Sequence, residues 1–141
     1  TDQECERYAA ELEKRSFLRR EPPISHSLCL REMQRSSVLL VLQPDSPLQV
    51  PAKIYEYVAT GRPLLLIGGE GATANLVTRH ALGVSSPNQL EAIKVLLNEL
   101  ATGARKLAQP DVTRVNRFDY RSLTGDLAAV LDVVIGAKEC S

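Results

Sequence analysis

The chain has 141 residues, one domain's worth by length and long enough to bury a real core. Lys+Arg and Asp+Glu both number 17, and this balance argues against nucleic acid or an anionic membrane as partner. No apolar run approaches the roughly 20 residues that span a bilayer, there is no signal peptide, and Cys5, Cys29 and Cys140 lack any paired spacing, so reduced thiols and a cytoplasmic setting are expected. Charge is uneven along the chain. Residues 1–35 hold 14 charged side chains and residues 36–100 only 9, which places the core in the middle.

In chain order, residues 2–15 read as a helix, with Thr1 and Glu4 as a capping box and an apolar stripe of Cys5, Tyr8, Ala9 and Leu12. Ser16–Arg20 reads as a short strand. Glu21-Pro22-Pro23-Ile24 must be loop, because two prolines exclude helix and central strand alike. Ser25 or Ser27 can cap a short helix to about Arg35, with Leu30 and Met33 inward. Val38–Leu42 is apolar for five residues running, which implies a strand covered on both faces, as in a parallel sheet. A loop with two prolines follows. Cys5 and Cys29 read as small buried groups.

The central stretch runs from Val50 to Gly69. Pro51 suits the first position of a helix, and Ile54, Tyr57 and Val58 recur at the spacing of one apolar face. Gly61 can end that helix, Pro63 blocks its continuation, and Leu64–Ile67 reads as a buried strand. Lys53 and Glu56 are three apart and share a face near the helix start, where anions are favoured. Their bland reading is an exposed ion pair worth under about 1 kcal/mol.

Gly68-Gly69-Glu70-Gly71 turns into a helix over 72–80, the glycines serving either a tight turn or a ligand contact. Gly83-Val84 is a weak strand. Ser86, Pro87 and Gln89 carry a helix-start signature ahead of Leu90, Ile93, Leu96, Leu97 and Leu100 on one face, ended by Gly103. A last helix over 120–135 carries Leu123, Leu127, Val130, Leu131 and Val134, with Gly136 after it. His26 reads as a solvated loop residue, His80 as structural, and Arg114, Arg117 and Arg121 as a local basic patch. No His, Cys and acid cluster has metal-ligand spacing, so no metal is expected. Alternating strands and helices predict an α/β fold, a Rossmann-like parallel sheet with helices on both faces. Ligands in such sheets bind beyond the C-terminal strand ends. Pro22–Ser25, Gln43–Val50, Gly68–Gly71 and the start of the central helix are therefore the candidate site.

The central stretch resembles the C-terminal, donor-binding half of GT-B glycosyltransferases, in particular the retaining group called family 4. Their pattern is an apolar strand, a loop, P-x-K-x-x-E-Y-x-A-x-G-x-P and a second apolar strand. Pro51, Lys53, Glu56, Tyr57, Ala59, Gly61 and Pro63 stand at those places. Phe118-Asp119-Tyr120 is similar to the aromatic approach to that family's terminal helix, so the likeness covers nearly the whole chain.

The resemblance implies a nucleotide-diphosphate sugar as substrate, no cofactor, and transfer of the sugar to an acceptor. It implies that Glu56 accepts hydrogen bonds from the ribose hydroxyls, with the base near Pro23 and Ile24. Lys53 would be the cation near the diphosphate, and Pro51 and Gly69 would be further substrate-binding residues; the resemblance assigns no catalytic residue. Many relatives carry a second Glu eight residues before the place of Glu56, where this chain has Leu48. The family's first strands and its acceptor-binding N-terminal domain have no counterpart here. The expectation is therefore a truncated C-terminal half, inactive alone, with the N-terminal domain as its partner. An open strand edge would then favour self-association. Two alternatives remain: a non-catalytic nucleotide-binding or interaction module, and a nucleotide-sugar epimerase of the same two-domain fold.

Overall fold

A computed structural model describes residues 2–43, 46–111, 116 and 118–139, the last three by backbone alone. Two compact units divide the chain, Thr1–Arg31 and Glu32–Ser141.

The first unit opens with helix α1 (Asp2–Lys14), which carries Asp2 and Glu4 in its first turn and Lys14 in its last, as the helix dipole favours. It buries none of its residues: Cys5, Tyr8 and Leu12 are exposed and Ala9 half-buried. Thr1, the expected cap, lies outside the described residues. The strand expected over Ser16–Arg20 is not formed. Ser16 takes a left-handed conformation (φ 58°) and donates its N–H to the Glu13 carbonyl, while the Phe17 N–H reaches back to Leu12 at 2.9 Å. That pair of bonds is a Schellman stop. The chain is then held by Arg20, whose guanidinium meets Glu13 at 2.7 Å and Glu6 at 2.8 Å. With only Phe17 and Leu18 apolar, a strand there would have had little to bury. The Pro22-Pro23 segment is loop as expected, and Ser25 caps helix α2 (His26–Arg35) by accepting the Leu28 N–H at 3.4 Å. Cys5 is exposed and Cys29 half-buried, so the expectation of two buried thiols is corrected.

The second unit is an α/β domain around a three-stranded parallel sheet of order β1-β2-β3, consistent with a Rossmann-like fold. Its elements are β1 (Leu39–Leu42), α3 (Lys53–Ala59), β2 (Leu64–Ile67), α4 (Ala72–Arg79), β3 (Gly83–Ser86), α5 (Leu90–Ala101) and α6 (Tyr120–Glu139). Leu39 pairs with Leu64, and Leu64 with Gly83. Successive strand residues point to opposite faces, and each face has its own cluster. On the first face Leu39, Val41, Leu64 and Leu66 pack with Ile54 and Val58 of α3, Val77 of α4 and Leu82; Met33 and Phe118 pack against them. On the second face Leu65 and Ile67 pack with Leu96, flanked by Val38, Val84, Ile93 and Leu100.

Three further expectations are corrected. Strand β1 is not covered on both faces: Leu40 is 50% and Leu42 60% exposed, because α5 covers β2 and leaves the edge strand open. Helix α5 begins at Leu90 with Gln89 as an extended N-cap. Ser86 instead ends β3 and donates its hydroxyl to the Pro87 carbonyl. Helix α6 runs through Gly136 to Glu139, and its apolar residues are exposed.

Candidate functional site

Helix α3 owes its position to alternating chemistry. Ile54 and Val58 are buried at 0% and 1%, and Tyr57 is half-buried against the same cluster, as their spacing demands. Lys53 and Glu56 are left exposed. Gly61, at φ +70°, ends the helix by donating its N–H to Val58, and buried Pro63 leads directly into β2. Pro51 stands one residue before the N-cap, Ala52, rather than as the first helical residue. Its carbonyl accepts the Ile54 N–H at 3.0 Å, and the Ala52 carbonyl accepts that of Tyr55 at 3.1 Å. Two of the first N–H groups are therefore taken, and a seven-residue helix adds little dipole of its own. An anion here would be held by the Lys53 ammonium rather than by the helix start.

The loop leaving β1 closes on the start of α4. The Ala72 N–H donates to the Pro47 carbonyl at 2.6 Å. Gly71 lies at φ +154°, and a Cβ there would come within 2.7 Å of the Pro47 backbone. Behind it, the buried Thr73 hydroxyl donates to the Gln49 carbonyl at 2.8 Å and lies 3.5 Å from the Gln43 side-chain oxygen. Gln43, Ser46, Gly69, Glu70 and Thr73 bound a cleft of about 10 Å³, room for about one water and not for a phosphate. Gly68 and Gly71 serve close packing, against Gln43 and the Pro47 backbone respectively. Gly69 is half-buried on that cleft, and Leu48 is 94% exposed at the loop tip.

Pro23 and Ile24 lie in the loop of the first unit that precedes α2, with Ile24 37% exposed. Lys53, Glu56, Pro51 and Gly69 belong to the second unit: Pro51 precedes α3, Lys53 and Glu56 lie on it after β1, and Gly69 follows β2. Tyr55 is 41% exposed, its ring 5.9 Å from that of Phe118, and His80 meets Phe118 edge-on at 5.1 Å. Phe118 thus anchors the approach to α6, and the Asp119 carboxylate caps that helix by accepting the Ser122 N–H at 2.7 Å. His26 is the first residue of α2 rather than a loop residue. Arg121 is exposed on α6; Arg114, Arg117 and Cys140 lie outside the described residues.

A groove of about 390 Å³ runs along α5 and the end of β3, lined by Ser85, Pro87, Glu91, Val95, Leu96 and Arg105. Arg105 is fixed on its rim by Glu99 at 2.8 Å. It belongs to the second face of the sheet, whereas α3 packs on the first. Sequence reasoning missed it, because Arg105 falls in a stretch without period and the groove has no motif. The Gln43–Thr73–Gln49 cluster was missed too; its one signal is a glutamine directly after an apolar strand. Among the described residues no group of His, Cys, Asp or Glu could hold a metal, and no helix is long and apolar enough to cross a membrane. None of the family models, curated proteins or solved structures compared with this chain matches it.

Proposed function

We propose that this chain is the donor-binding part of a GT-B-type glycosyltransferase, holding the nucleoside diphosphate of a sugar donor while an N-terminal partner domain holds the acceptor. The observation that carries this reading is α3: its apolar side is locked into the core while Lys53 and Glu56 stand exposed on the same helix. The Glu56 carboxylate can accept both ribose hydroxyls at once. Lys53, one turn nearer the helix start, would face the diphosphate, whose developing charge is the main demand when the bond to the sugar breaks. No cofactor enters this chemistry, and a cytoplasmic site would give access to nucleotide sugars.

The test is saturation-transfer NMR of the chain with UDP, GDP, ADP and dTDP. One nucleotide is expected to receive saturation at its ribose protons, and Glu56→Ala to lose it with the fold intact. No transfer to any of the four, or transfer unchanged in Glu56→Ala, would overturn the proposal. One observation favours a second reading, a non-catalytic interaction module. The Pro47 carbonyl occupies the first N–H of α4, so the glycine turn offers no phosphate cradle. That reading predicts no nucleotide binding at all.

A further inference from the structure

Two apolar surfaces of the second unit are left exposed among the described residues. The first is the open half of the sheet's second face. Its floor is Leu40 and Leu42, 50% and 60% exposed. Helix α5 walls it on one side. Ala92, Val95 and Glu99 of α5 line the groove beside β3, and helical geometry puts Leu90 and Leu97 on the opposite flank, toward β1. They are 66% and 48% exposed. Parallel sheets are covered on both faces; here, among the described residues, no helix covers β1 on this one.

The second surface is α6. Leu123, Leu127, Val130 and Val134 recur at spacings of four, three and four, the seam of a helix that packs lengthwise against a neighbour. They are 45–60% exposed. The seam extends over ~16 Å and so spans the full ~10 Å from Leu90 to Leu97 with about one turn to spare, at 1.5 Å per residue.

We propose that the open half-face is the docking site for α6 of a second copy, so that two chains pair about a twofold axis by exchanging this helix. Both surfaces are exposed to solvent, so one second copy can cover both. A twofold pair makes the contact twice. It buries the four leucines of the half-face and the four aliphatic side chains of the seam in each copy, on the order of the 1,200 Å² at which specific interfaces begin. The net charge of zero puts no repulsion between copies.

The test is mass by light scattering over a concentration series, with two variants. Leu42→Asp spoils the face and Leu127→Asp the helix; both positions are exposed in the single chain, and circular dichroism checks the fold. The wild type is expected to be dimeric at tens of micromolar. Each variant should be monomeric there, its dissociation constant raised at least tenfold. Mixed together they should recover dimers, since the intact helix of one meets the intact face of the other. Should either variant misfold, Leu42→Ala and Leu127→Ala give the milder form of the same test. A monomeric wild type overturns the proposal. A dimer that survives Leu42→Asp overturns it in favour of α6 pairing with α6, and one that survives Leu127→Asp in favour of edge pairing through β1.

Discussion

Strands β1 and β2 are nearly the same in composition, Leu-Leu-Val-Leu beside Leu-Leu-Leu-Ile, yet they live in different surroundings. All four residues of β2 are buried; β1 alternates between buried and exposed. The difference is position. β2 has a strand on each side, α3 and α4 above and α5 below, while β1, among the described residues, has one neighbour and cover on one face. A continuous apolar run states that both faces can be buried, not that both are. Cover depends on which other elements are present.

The largest effect expected from this contrast is at the centre. Leu66→Ala should cost about 3 kcal/mol, since Leu66 is 1% exposed between two neighbouring strands. Leu42→Ala, measured where the chain is monomeric, should stay within about 0.5 kcal/mol. Denaturant titration of the two would break the comparison if their losses were equal.

A smaller effect is expected where the end of β1 is tied down. Gly71→Ala must place a side chain at φ +154° and against the Pro47 backbone, at a cost of about 2 kcal/mol. Unfolding curves should show it, and amide exchange at Ala72 should accelerate as its bond to Pro47 is lost.

The smallest effect is in the first unit, where charge rather than burial holds the chain. Arg20 holds the Glu13 carboxyl below the usual glutamate range, chiefly through their side-chain hydrogen bond. The pair therefore supports the turn after α1 above the usual glutamate range and is lost as pH falls through Glu13's lowered value. Amide shifts of Ser16 and Phe17 should follow that titration, and Arg20→Ala should abolish the dependence. The global unfolding midpoint should barely move, because exposed ion pairs contribute little.

Much of the sheet was legible because local and global signals agree there. Pro63 and Gly61 bracket β2, and Ile54 and Val58 can only face the core. Ser16–Arg20 misled because β-propensity says nothing of a Schellman stop, which arises from backbone geometry at Ser16. Ser86-Pro87 misled because a residue fit to cap a helix served instead to end a parallel strand. Of the candidate site, the exposure of Lys53 and Glu56 followed from helical period. The closure of the Pro47 loop over Gly71 did not, since the bond from Ala72 to Pro47 joins distant residues through backbone alone.

The most direct test of the donor-site reading is amide shift mapping of the chain with the nucleotide that binds best. The shifts should cluster on Lys53–Ala59 and vanish in Glu56→Ala. Shifts along the Ser85–Leu96 groove with α3 unmoved, or none anywhere, would contradict it.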